Sequence, residues 1–295
     1  MNAVDSSNIL KGSLLALAAF FFMALFGVLT KCALRSSSFV WVSFIAYLTS
    51  TLLLTPYIAN QGLNYLKSNH YQLLLGRAIF GTVASFSYTV AIHFIPIVNG
   101  TLLFNTAPIF IPLLSIVFLR AKIKQRIWLA VALGFLGIII IIHPTEAIFT
   151  QTGNLLGLLS GICLAVAYFL MKILTNTDPG IRIIFYYLAL GSVMQIPFLP
   201  FFDLPDLAGF LYAIYSGIAL LLAQMLLVTA YRFAKASEIG IYQYASVIFV
   251  GFFDWVIWDQ VPPALDLAGI VLVSLAGILI IRNPSSVQDL KTEER

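Results

Sequence analysis

Ionisable side chains inside apolar stretches are where chemistry is to be sought first, because a charge without solvent is costly and is retained for a task. Arg77 lies about two turns into an apolar run that starts near residue 71, and Asp254 lies within another that spans about 239–258. An arginine there can attract a carboxylate or a phosphate, or its long stem can snorkel to the cytoplasmic surface and anchor the helix. Asp254 can carry a coupling proton, or it can face an outer aqueous vestibule beside Trp255 and Trp258. His93, at the end of the run that holds Arg77, is a second proton-relay candidate.

Uncharged polar residues in the same kind of surroundings complete the set of cavity candidates. They are Tyr47, Ser85, Tyr88, Gln195, Gln224 and Tyr231. Asn105 and Thr106 stand just before Pro108, with Pro112 four residues on. Two such prolines remove backbone hydrogen bonds and bend a helix, and freed carbonyls beside a polar side chain can hold a ligand or ion. The same residues can equally form a kinked packing helix with Asn105 bonded to nearby backbone. Tyr242, Gln243 and Tyr244 form a further polar group. Tyr242 and Tyr244, two residues apart, cannot share a helix face, so one lines a cavity while the other sits at the interface. No catalytic, metal or cofactor motif accompanies these residues. Cys32 and Cys163 have no paired spacing, and three scattered histidines give no metal-ligand pattern.

The elements that must position these residues are membrane helices. The 295 residues are 61% hydrophobic and 9% charged, where a soluble domain carries roughly 25% charged residues. That composition excludes a cytosolic enzyme, a secreted domain and a disordered chain. Continuous apolar runs cover about 11–31, 38–59, 71–92, 97–119, 127–143, 154–173, 182–201, 208–231, 239–258 and 264–281, which predicts ten transmembrane helices. Their continuity argues against a β-barrel. The first run is too long for a cleavable signal and is flanked by Asp5 and only Lys11. The longest expected loop, about 60–70, has no room for an ATPase or receptor domain.

Lys and Arg set the expected orientation. With the N-terminus inside, thirteen fall on the cytoplasmic side and only Lys31 and Arg35 outside, so both termini are expected in the cytoplasm. The basic excess is thereby a membrane pattern, and no nucleic-acid partner is expected. The sequence also repeats. Gly137 and Pro144 match Gly277 and Pro284 at an offset of 140 residues. Ala84, Ser85, Ala91 and Phe94 match Ala223, Gln224, Ala230 and Phe233 at 139, and Gly12 and Lys31 match Gly153 and Lys172 at 141. Five spans per copy is an odd number, so the second copy enters from the other side. The expected organisation is a five-helix repeat over 1–145, an inverted one over 146–284 and a short tail over 285–295. Such repeats build alternating access around a midplane site. Gly157 and Gly161 form a GxxxG in the sixth run, suited to close helix contact within or between monomers.

With these segments in place, the chain resembles the EamA branch of the drug/metabolite transporter superfamily over nearly its whole length. The resemblance rests on Pro108 followed by Phe118-Leu119-Arg120-Ala121-Lys122, on Trp128, Gly134 and Gly137 in the next helix, and on Gly76-Arg77. In general helix character it is similar to the S-adenosylmethionine uptake subgroup. It implies ten helices in two inverted repeats and secondary transport of a small organic metabolite, amino-acid-like, S-adenosylmethionine-like or a drug, across the cell inner membrane. A coupling proton or an exchanged solute would drive it, in a monomer or homodimer. The family's usual Glu after the fourth and ninth helices is missing, with Ala121 and Gln260 in those places. The competing expectations are an accessory membrane subunit or a lipid-modifying enzyme.

Overall fold

The computed structural model describes residues 3–258 apart from 96, 121–122, 143–151 and 235, with short helical pieces between 268 and 279. The expected tenth span lies mostly outside the described residues. So do Ala121, Pro144, Gln260, Gly277, Pro284, the tail and the side chain of Asp254.

All described elements are helical. They are α1 (Ala3–Ala33), α2 (Phe39–Gln61), α3 (Tyr71–Phe94), α4 (Ile97–Phe104), α5 (Ala107–Leu119), α6 (Gln125–Ile142), α7 (Thr152–Leu174), α8 (Gly180–Gln195), α9 (Leu207–Phe233), α10 (Ala236–Tyr242) and α11 (Ala245–Trp258). Short 3-10 helices cover Leu63–Leu66 and Ile196–Phe201. Among the described residues, seven stretches are long and apolar enough to cross a membrane. Large apolar side chains such as Leu52, Val117, Phe118, Leu155 and Phe252 are exposed, a girdle that lipid covers and water would not tolerate.

The expected fourth span is two helices. The chain breaks at Asn105–Thr106, where Thr106 N–H turns back to the Leu103 carbonyl at 3.2 Å. Pro108 then sits in the first turn of α5, where a missing N–H costs nothing. Pro112 lies inside α5 without ending it. The expected ninth span breaks in the same manner at Gln243–Tyr244, with tight turns to Gly240 and Ile241 and no proline.

Packing repeats with the sequence. α1 packs along α9 and α3 along α7, while α2 meets α8. Gly12 lies against Phe233 and the Ala230 carbonyl, and Gly153 against Phe94 and the Ala91 carbonyl. Lys31 donates to the Ile92 carbonyl, and Lys172 donates to the Tyr231 carbonyl at 2.9 Å. Partners on the two sides of each comparison differ by 139 or 141 residues. Gly157 and Gly161 receive Leu103 and Thr106 of the α4–α5 break, so the GxxxG is spent within the monomer.

Each end of the bundle carries a crossing between loops. At one end, Arg182 donates to the Tyr65 carbonyl at 2.7 Å and to Asp178 at 2.8 Å, and His70 stands 3.6 Å from Asp178. At the other, Trp41 donates to the Phe202 carbonyl at 3.0 Å, and Ser36 donates to Asp206 at 2.6 Å. Asp206 also caps α9 by accepting from Gly209 N–H at 2.8 Å.

Candidate functional site

One face of α3 organises the polar interior. Arg77, Gly81, Ser85 and Tyr88 follow at intervals of four, four and three residues, which stacks them along about 16 Å of helix. Arg77 is 2% exposed and does not snorkel. Its Nη2 donates to Gln224 Oε1 at 2.9 Å, and its guanidinium lies 4.1 Å from the centre of the Tyr187 ring. The sulfur of Met171 is a weak neighbour at 3.9 Å. Arg77 Nε and Nη1 have no hydrogen-bond partner. Gly81 makes the site possible, since a Cβ there would overlap both Arg77 Nη1 and the Tyr187 ring.

Tyr187 connects this cluster to the centre. Its hydroxyl meets the Tyr47 hydroxyl at 2.5 Å and Ser85 at 3.0 Å, and the two rings stand edge to face at 5.3 Å. Tyr47 rests on Gly191, which leaves space for its ring. Tyr168 and Tyr231 pack against each other at 6.0 Å, are fully buried, and have unpartnered hydroxyls. The hydroxyls of Tyr47, Tyr168 and Tyr231 lie in the neighbourhood of the Arg77 guanidinium. A buried cation of this kind costs several kcal/mol, and one hydrogen bond with one aromatic face offsets only part of that.

The two helix breaks form a second polar group. Asn105 donates to the Thr101 carbonyl at 2.7 Å and to Ser246 at 3.2 Å. Gln243 donates to the Phe104 carbonyl at 3.2 Å, so each break is bonded to the other. Thr106 donates to Leu103 within its own turn. Tyr88, Thr101, Gln243 and Ser246 line a narrow cleft beside Met23 and Val250. The Tyr88 and Thr101 hydroxyls are 3.1 Å apart.

Among the residues singled out in the sequence, Tyr47, Arg77, Ser85 and Gln224 come together directly, with Tyr231 beside them. Tyr88, Asn105, Thr106 and Gln243 gather at the breaks. Tyr242 donates to Ser13 at 2.9 Å, while Tyr244 packs on Gly134 and points to the Val131 carbonyl at 3.4 Å, so they diverge. Gln195 donates to the Gly191 carbonyl of its own helix. His93 is exposed, with its ring against Phe39 and Phe94. Tyr168 and Tyr187 were not among the sequence candidates. For Tyr187 the signal exists: it stands 140 residues after Tyr47, at the repeat offset.

Comparison with known proteins follows the same division of the chain. The model of the EamA-like transporter family matches residues 10–143 and again 151–282. A pseudopaline exporter of Pseudomonas aeruginosa is 28% identical over 92% of this chain and 96% of its own length. An S-adenosylmethionine uptake transporter of Rickettsia bellii is 24% identical over 85% and 86%. A riboflavin transporter of Vibrio cholerae is 25% identical over 80% of each. A solved crystal structure superposes with a TM-score of 0.74 at 15% identity, over 91% of this chain and 96% of the other, which is a likeness of fold.

Proposed function

We propose that this chain, which belongs to the EamA-like transporter family, carries its small organic metabolite across the bacterial inner membrane between two inverted five-helix repeats. The repeats are residues 1–145 and 146–284, ten transmembrane helices in all, with both termini in the cytoplasm. The solute sits where Tyr47, Arg77 and Ser85 of the first repeat meet Tyr168, Tyr187, Gln224 and Tyr231 of the second. Rocking of the halves opens the site to one side and then to the other. Net direction follows from contacts that differ between the two states and not from tight binding alone.

The observation that carries this reading is the Tyr47–Tyr187 pair. Two residues at the repeat offset touch each other, as happens at a pseudo-twofold axis, and the Arg77 cluster surrounds them. The equivalent contacts that Gly12 and Gly153, and Lys31 and Lys172, make with their own partners support the same axis. Uphill transport draws on a proton, with Asp254 as the coupling group, or on an exchanged solute. The working unit is a monomer or a homodimer.

Purified protein in liposomes tests this. Saturable counterflow of a labelled metabolite is expected, and Asp254→Asn should flatten its pH dependence if protons couple. Vesicles that stay inert toward every solute class carried by the relatives would sink the transport pathway proposed here. Single cysteines in the 120–126 and 175–179 loops should both label from the cytoplasm. Labels on opposite faces would end the inverted arrangement.

A further inference from the structure

We propose that Arg77 is the counter-ion for a carboxylate on the transported solute, so that the carrier selects carboxylates over their amides and over amines. This rests on the reading that the Arg77 cluster lies on the transport path.

Arg77 carries a planar guanidinium with five donors in a fixed fork. Among the described residues it has no acidic partner, only Gln224, the Tyr187 face and a weak sulfur contact. Nε and Nη1 keep unused protons although the residue is almost completely buried. The hydroxyls of Tyr168 and Tyr231 are unused in the same neighbourhood. Buried polar atoms in a native fold normally have partners, and an exception calls for a missing one. The unpaired atoms here are two guanidinium nitrogens, which only donate, and two hydroxyls, which can donate. Donors with no acceptor are the complement of an oxyanion.

The charge count narrows the class. Arg77 offers one positive charge, which balances a carboxylate and leaves a phosphate dianion half compensated. A planar carboxylate also matches the guanidinium geometry. A cationic head would meet a like charge in a medium that screens it poorly. The rest of the solute lies toward Tyr47, Ser85 and the Tyr88 cleft, along the same face of α3.

The test is binding to the purified full chain, read as thermal stabilisation, with matched probes. These are glutamate and glutamine, nicotinate and nicotinamide, indole-3-acetate and indole-3-acetamide, with inorganic phosphate and spermidine alongside. At least one carboxylate should bind tenfold or more tightly than its amide. Arg77→Gln should remove that preference, and Arg77→Lys should keep part of it. Gln224→Glu guards against loss of folding, because it places a carboxylate against Arg77. It should raise the melting temperature of the ligand-free protein and abolish the response to added carboxylates. The inference falls if no carboxylate outdoes its amide, including the case in which nothing stabilises the protein. It falls too if phosphate or spermidine is the strongest probe, or if Gln224→Glu leaves the carboxylate response intact. Flux separates the two readings: vesicles that transport only uncharged or cationic solutes keep the transport pathway and lose the counter-ion. Carboxylate binding with no flux under any gradient does the reverse.

Discussion

Tyr187 does two jobs with one side chain: its ring covers the Arg77 guanidinium, and its hydroxyl joins Tyr47 to Ser85. Tyr187→Phe keeps the ring and leaves two buried hydroxyls short of a partner, at a cost of about 1–2 kcal/mol. Tyr187→Leu should cost about 1 kcal/mol more, because the cation loses its aromatic face. Thermal unfolding of the two variants checks this, and equal melting temperatures would mean that the stack contributes nothing. At this scale the sequence was half legible. Buried charge and buried polarity pointed to Arg77, Ser85 and Gln224, and a repeat offset of 140, one more than the 139 that pairs Ser85 with Gln224, pairs Tyr47 with Tyr187. Tyr168 had no such signal, because its equivalent at an offset of 141 is Gly27, which has no side chain to compare.

The helix breaks were legible only where proline marked them. Pro108 announces the interruption between α4 and α5, yet the break falls at Asn105–Thr106, and proline merely starts the next helix well. Between α10 and α11 nothing announces it. What holds the second break is tertiary, the reach of Gln243 to Phe104 and of Asn105 to Ser246, and local preference carries no trace of that. Close approach of α7 to the first break is a further condition. A Cβ on Gly161 would overlap the Leu103 carbonyl and Thr106 Oγ1, and backbone cannot step aside. Gly161→Ala should therefore destabilise the protein by about 1–3 kcal/mol. Gly251→Ala, in α11 with nothing within 4 Å, should be neutral or slightly stabilising. Melting curves of the pair decide this, and equal losses would show that close approach at the break is unimportant.

Over the whole molecule, helical class and membrane residence follow from composition, because lipid imposes one solvent on every span. Loop crossings do not follow, since short polar loops of any sequence can tie ends together. The Asp178 crossing is the best anchored. Burial pushes the Asp178 carboxyl up, but hydrogen bonds from Arg182, Ser68 and Thr177 outweigh that and hold it below its ordinary value of 3.8. A depressed carboxylate stabilises the fold above its ordinary value and loses that contribution as pH falls through the lowered one. Asp178→Asn should therefore lower the melting temperature at pH 7, and the gap from wild type should close as the pH drops below about 4. A gap that persists unchanged in acid would contradict the ion pair as its origin. The crossing at the far end holds no ion pair among the described residues: Asp206 is exposed, Ser36 brings no charge, and Trp41 adds a neutral hydrogen bond to the Phe202 carbonyl. On the rocking motion proposed above, these two crossings act as unequal latches and predict for an empty carrier a posture shut at the Asp178 end and readier to swing at the Asp206 end. Trading the latch residues between the ends should turn that posture around, so the duplicated gene has left each doorway a natural control for the other.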